Sequence, residues 1–269
     1  MATNRDTFDR IAESWYRVRH WPLLREELEL LAQRWSGGRL LNIGCAHGAD
    51  FLPFRQCSES HEPDSSPKMP KHAQEDSSQS ELRETDFSRK TPEEALGHSA
   101  KFELWGMDFA PRMLEQAQRY SAKFGFQVNL VVADMLALPY GDSTFDFAIA
   151  VAAYHHIQGS NHRATAVKEL ARVLKPGGEA FLSVWNRAQP RFWLRSREQL
   201  VPWRLGGKTV HRYYHLFTYG EIRRLLAGNG FDIIYLGPEK SYQFPLRSFS
   251  RNICALVRKQ SGVEPVAST

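Results

Sequence analysis

The sequence predicts a doubly wound α/β domain, a mostly parallel sheet with helices on both faces, and three observations carry that expectation. Apolar runs of strand length alternate with helix-period segments along the chain. A glycine-bearing turn, Gly44-Cys45-Ala46-His47-Gly48, closes the first run. Two acids, Asp108 and Asp134, close the next two, at the strand ends where open α/β sheets bind their ligands.

The elements follow in order. Residues 7–35 read as helical, because Phe8, Ile11 and Trp15, then Leu24, Leu28 and Leu31, fall three and four apart. Trp21-Pro22 divides the stretch into two helices, since the residue before a proline avoids the helical region. Strands are expected at 39–43, 102–107, 128–132, 145–153 and 179–185, and helices at 112–124, 164–174 and 219–229. The run at 145–153 is nearly all apolar, as suits a central parallel strand covered on both faces. Lys175-Pro176-Gly177-Gly178 stops the helix before the fifth strand. The last two strands, 231–236 and 252–257, are joined by a loop too short for a crossover helix, so they should pair antiparallel. Together these make a seven-stranded sheet with an antiparallel C-terminal hairpin.

Residues 56–99 break the pattern. They are rich in Ser, Pro, Glu, Asp, Lys and His and nearly free of aliphatic residues, too polar to bury the surface that ordering would require. The chain is therefore expected to be a single domain, 1–269, with 56–99 a disordered insertion and 260–269 a disordered tail. Deleting residues 58–99 behind a short linker should leave a folded, ligand-binding protein, because loop entropy changes slowly with length. A deletion variant that fails to fold would show that the segment packs on the domain.

Composition narrows the classes. No apolar run approaches the roughly 18 residues of a membrane span, and MATNRDTFDR lacks the apolar core of a secretory signal. Cys45, Cys57 and Cys254 form no C-x-x-C pair, which argues against a zinc site or a disulfide framework. A reducing compartment is expected, the cytoplasm first, with the nucleus as an alternative. The formal charge is +5, and the stretch from Arg187 to Arg224 carries many arginines but only two acids, Glu198 and Glu221. Such a stretch is either part of a nucleic-acid footprint or a solvated basic face.

Four motifs carry the chemistry. In Asn42-Ile43-Gly44-Cys45-Ala46-His47-Gly48 the glycines let the backbone approach a ligand. Asp108, followed by Phe109, stands where an acid accepts hydrogen bonds from both ribose hydroxyls of a nucleotide cofactor, or simply caps the helix opening at Pro111. From Gly44 to Asp108 the chain runs 64 residues; without the 44 residues of 56–99 the gap is 20, the usual Rossmann distance. Asp134-Met135 follows the third strand, where either a ligand contact or an ordinary strand-end turn is expected. Phe145-Asp146 opens the central strand, and Ala153-Tyr154-His155-His156 at its carboxyl end should face the bound ligands, the alternative for a histidine being a helix cap or a core group.

The four motifs in this order resemble the class I methyltransferases, Rossmann-like enzymes that bind S-adenosylmethionine (SAM). The resemblance implies SAM contacts from Asn42, Gly44, Cys45, Ala46, Gly48, Asp108, Phe109, Asp134, Met135 and Ala152. Asn42 stands where the pattern D/E-x-G-x-G-x-G has its acid, and Ala46 where it has its middle glycine. The run His211-Arg212-Tyr213-Tyr214-His215-Leu216-Phe217, followed by Gly220-Glu221-Ile222, resembles more narrowly the tRNA wobble-uridine carboxymethyl methyltransferase family (Trm9-like). Trp21-Pro22, His155-His156, Val184-Trp185 and Val201-Pro202-Trp203 also resemble that family, whereas Arg251-Asn252-Ile253 lacks its Asn-Trp and Tyr154 replaces an isoleucine.

That family esterifies the carboxymethyl group of a wobble uridine in tRNA. A carboxylate is already anionic near neutral pH, so the task is recognition and alignment. Arg212 is the expected carboxylate fork, with Tyr213, His215, His155 and Trp185 shaping the pocket. The resemblance also implies a small zinc-binding activator (Trm112-like) on the sheet edge formed by Val128, Leu130 and Val132. The alternatives are a methyltransferase of small molecules and a SAM-fold scaffold without activity.

Overall fold

A computed structural model describes residues 3–55, 101–244 and 246–261. The expected insertion at 56–99, and 262–269 of the expected tail, lie outside the described residues. The strands are β1 (Gly38–Ile43), β2 (Phe102–Asp108), β3 (Asn129–Val132), β4 (Phe145–Val151), β5 (Leu174–Trp185), β6 (Glu198–Leu205), β7 (Lys208–His215), β8 (Phe231–Pro238) and β9 (Asn252–Lys259). The helices are α1 (Asn4–Val18), α2 (Arg25–Arg34), α3 (Pro111–Phe124), α4 (Ser160–Val173) and α5 (Tyr219–Ala227).

Seven strands form one sheet in the order β3-β2-β1-β4-β5-β9-β8. The first five are parallel, and β9 lies antiparallel between β5 and β8. Alternate residues of each strand enter opposite cores: Leu41 and Ala148 pack with α4 and α5, Leu40 and Ile149 with α2 and the turn Ala49–Phe54. The sheet is thus covered on both faces, which explains its nearly unbroken apolar strands. Local signals set the helix ends. Thr3 and Asp6 form a reciprocal capping box on α1, and Gly125 takes the left-handed conformation that closes α3.

Several boundaries differ from the sequence reading, and two bear on the site. The expected strand 145–153 stops at Val151, because Ala152 turns to a positive φ of 55° and Tyr154–His156 form a single tight turn. Strand β5 begins at Leu174 rather than at Glu179, running through Lys175-Pro176-Gly177-Gly178. One element was not expected. β6 and β7 form a separate hairpin closed by Gly206-Gly207, both at positive φ, the two-residue turn that glycine favours. Trp203 and Val210 of this hairpin pack on Phe8, Ile11 and Trp15 of α1. The two elements make a cap over the strand ends that carry the motifs.

Candidate functional site

The glycine loop is built around one close approach. Gly44 sits at φ +71°, and a Cβ there would lie 2.7 Å from the Cβ of Ala153, so both conformation and space require glycine. The N–H groups of Gly44 and Cys45 each donate to the carbonyl of Met107 at 2.9 Å, which ties the end of β1 to β2. The N–H of Ala46 donates to Oδ2 of Asp108 at 3.0 Å, and Ala110 N–H donates to Oδ1 at 2.9 Å. The loop and the acid therefore meet, as the corrected spacing requires. The helix-cap alternative does not hold: the N-cap of α3 is Ala110, with no side-chain cap bond, and Asp108 only closes the turn before it. Burial pushes its carboxyl up to about 6, against the pull of the Ala110 and Ala46 N–H groups.

Ala46 holds φ 47° at the position where the methyltransferase pattern has glycine. A left-handed alanine costs roughly 1–2 kcal/mol. Ala46→Gly should therefore raise the melting temperature and leave SAM affinity equal or tighter, read by thermal unfolding and calorimetry. A lower melting temperature would show that the strain estimate is wrong at this residue.

A cavity opens between this loop and the cap. Of the residues singled out from sequence, Gly44, Cys45, Ala46, Asp108, Phe109, Met135, Ala152, His155 and Trp185 line it. Asn42, Gly48, Asp134, Arg212, Tyr213 and His215 are not in its wall. Asn42 is fully buried with neither amide atom partnered. Gly48 shapes the loop, at φ +83° and donating to the Cys45 carbonyl. Asp134 is exposed and accepts from the N–H of Leu136, so it holds its own turn. A larger hollow opens beside Gly38, Lys101 and Asp146 and includes none of the glycine-loop residues.

The cap corrects the acceptor-side assignments, because successive residues of β7 face opposite ways. Arg212 and Tyr214 share the inward face; Tyr213 and His215 lie on the other. Tyr214, not Tyr213, lines the cavity. His215 is buried and bridges Glu198 at 2.8 Å and Glu221 at 2.7 Å, which fastens the hairpin to α5. His215→Ala should therefore lower stability by about 1–3 kcal/mol with little change in SAM affinity. A strong SAM defect at unchanged stability would return His215 to the site.

The inward face is aromatic and cationic. The guanidinium of Arg212 lies 4.9 Å from the Trp203 ring centre, 5.2 Å from Tyr214 and 5.6 Å from Trp15. Arg212 is buried, its Nε has no partner, and it forms no ion pair among the described residues. Burial lowers its pKa, opposed by the nearby Tyr214. His155 stacks on Tyr214 at 4.7 Å. Its Nδ1 accepts from Trp185 N–H, which leaves the ring proton on Nε2. His156 donates from Nδ1 to the Tyr213 carbonyl. Burial, aided by neighbouring positive charge, holds His155 well below its ordinary value and His156 at about 3. Both rings are neutral at neutral pH.

Several wall residues escaped the sequence reading, among them Arg19, Asp50 and Phe8. Arg19 follows α1 and lies 4.2 Å over Trp15. Asp50 is pushed by burial to about 7, although Arg19 pulls it down. Phe8 lines the entrance from α1. The helix periodicity that identified Phe8 and Trp15 as apolar could equally mean core, so only the fold shows that they border a cavity.

Residues 91–182 match the family model described as a methyltransferase domain. The chain is 30% identical over 136 residues to the tRNA (carboxymethyluridine(34)-5-O)-methyltransferase of Schizosaccharomyces pombe, covering 41% of this chain and 60% of that protein. It spans less than two thirds of the length of this relative and of the other first curated relatives it matches. In fold it is similar to a SAM-dependent methyltransferase of Clostridium acetobutylicum, at TM-score 0.62 and 13% identity over 95% of this chain and 100% of that one. It is also similar to a chain in a Haloferax volcanii complex of the Trm112 methyltransferase activator with a methyltransferase, at TM-score 0.57 and 13% identity over 97% and 98%.

The sheet order is that of the fold shared with solved SAM-dependent methyltransferases, and residues 91–182 match the methyltransferase-domain model. In sequence the chain is similar to a tRNA (carboxymethyluridine(34)-5-O)-methyltransferase.

Proposed function

We propose that the chain transfers a methyl group to the carboxymethyl group of a modified wobble uridine in a tRNA anticodon loop. The observation that carries this reading is Arg212: a buried guanidinium with no carboxylate partner among the described residues, against two aromatic residues of the cavity wall. A buried cation without an acid is costly unless a ligand supplies the anion, and a planar fork fits a carboxylate.

The wall fits SAM. Asp108 would accept from its ribose, Phe109 and Met135 would border its adenine, and Arg19 and Asp50 offer opposite charges to its amino-acid end. When bound, SAM supplies an electrophilic methyl group on a sulfonium. The remaining work is alignment. The substrate carboxylate needs no base, and the neutral His155 and His156 provide hydrogen bonds without a competing positive charge. Trp185, Tyr214 and Trp15 exclude water from the meeting point.

The test is mass spectrometry of nucleosides after incubating protein, SAM and tRNA carrying carboxymethyluridine. Appearance of the methyl ester is expected; its absence together with methylation of a small carboxylic acid would favour the small-molecule reading. A scaffold without activity would show no heat on titration with millimolar SAM.

An activator of the Trm112 type belongs to the same proposal. β3 is a sheet edge, with Val132 exposed and Val128 and Leu130 partly buried, and an uncovered edge invites a partner strand. Co-expression should raise solubility and turnover. A purified chain that is soluble, monomeric and fully active alone would remove the requirement. No helix among the described residues is long and apolar enough to cross a membrane, and the cytoplasm is the proposed compartment.

A further inference from the structure

Beside the cavity mouth the chain leaves β5 at Trp185 and passes through a tight turn, Pro190–Phe192. Arg191 stands on this turn with its guanidinium 4.9 Å from the ring centre of Trp185, which lines the cavity. Arg195 and Arg251 are exposed in the same region. None of the three forms an ion pair among the described residues. The nearby carboxylates are committed elsewhere: Glu239 accepts from the backbone N–H groups of Arg251 and Asn252, and Glu198 from His215. Burial, with positive charge from Arg251 adding to it, lowers the pKa of Arg191. Between these cations sit two exposed apolar side chains, Trp193 at 58% and Leu194 at 102%. Trp193 is not loose: its Nε1–H donates to the Ala188 carbonyl at 2.9 Å and its ring lies 5.6 Å from Phe249.

A fixed, exposed tryptophan among unpaired arginines suits one kind of partner. Phosphates satisfy the guanidinium groups, and an unpaired base offers a flat face to the indole. An apolar protein partner would leave the arginines without anions.

We propose that this rim is a contact for single-stranded RNA, in which Arg191, Arg195 and Arg251 take backbone phosphates and Trp193 stacks on a base flanking the nucleotide that enters past Trp185. The inference rests on the tRNA reading and adds the surface that would hold the loop.

The experiment uses the full chain with SAM and a fluorescently labelled anticodon stem–loop, followed by anisotropy between about 50 and 200 mM salt. The double variant Arg191→Ala/Arg251→Ala should bind at least about tenfold more weakly, with a salt slope shallower by about 1.4, roughly 0.7 per lost phosphate contact on a single strand. Trp193→Ala should lose about five- to a hundredfold with the slope unchanged, and Trp193→Phe should recover most of that loss. Unaltered SAM affinity and melting temperature in each variant would show that the fold is intact. If the wild type binds the stem–loop and the double variant matches it in affinity and slope, the rim is overturned while the tRNA reading stands. A wild type that binds no RNA at any salt concentration overturns both.

Discussion

Asp108→Ala is expected to weaken SAM binding by about 30- to 150-fold, the equivalent of about 2–3 kcal/mol for a charge-assisted pair of bonds. The carboxylate holds Ala46 and Ala110 through one oxygen each, so the variant should also lose some stability as the loop loosens. Asp108→Asn keeps the shape but aims an amide N–H₂ at one of two backbone N–H groups, and should behave nearly as badly. A pH dependence follows. The Asp108 carboxyl is raised to about 6 in the free protein, so the fold holds a proton that the unfolded chain has released. The stability this contributes is full below the unfolded value of 3.8 and is lost as pH rises through about 6. Ribose hydroxyls donate best to the ionised form. SAM affinity should therefore rise by up to about tenfold from about pH 5 to about pH 7, with proton release in calorimetry. Unchanged SAM affinity in the alanine variant would remove the ribose role.

The donor side was legible in the sequence because its residues are punctuation. Gly44, Gly48 and Asp108 mark strand ends, and a strand end is recognisable from the chain alone. The 64-residue gap between Gly44 and Asp108 would have hidden the relation, had composition not marked the intervening stretch. The bond from Ala46 to Asp108 then closes it in space. Local bonding decides where a strand-end acid points. Asp134 has the right position yet faces solvent, since its own turn claims its carboxylate.

On the cap, the residues named from sequence fall on two faces of one strand. Gly206-Gly207 between alternating stretches is a hairpin signal, and the inward face could have been read from it. In an antiparallel hairpin the parity of one residue fixes all the others. With Arg212 inward, Tyr214 must be inward, and Tyr213 and His215 outward. Arg212, Tyr213 and His215 therefore cannot all face the cavity. Arg19 and Asp50 could not be found this way. They belong to a helix end and a tight turn far apart in sequence, and only the packing of the cap against the glycine loop places both in one wall.

Arg212→Lys should damage turnover nearly as much as Arg212→Ala, while SAM affinity stays normal in both. Lysine retains the charge but not the planar fork that holds two carboxylate oxygens, and it would lie poorly against Trp203, Trp15 and Tyr214. If Arg212 instead touches tRNA phosphate, lysine should rescue most of the activity and the defect should track salt concentration. Stability gives a second, independent reading. An unpaired buried cation is a cost to the fold, so Arg212→Ala should melt no lower than the wild type despite its lost activity, and Arg212→Met, which also refills the space, should melt higher. That combination marks a residue kept for a ligand at the expense of stability. A purely structural arginine would do the reverse, losing stability and activity together. Measuring turnover, SAM affinity and melting temperature at two salt concentrations separates the three cases, and near-normal turnover by the lysine variant would sink the carboxylate fork.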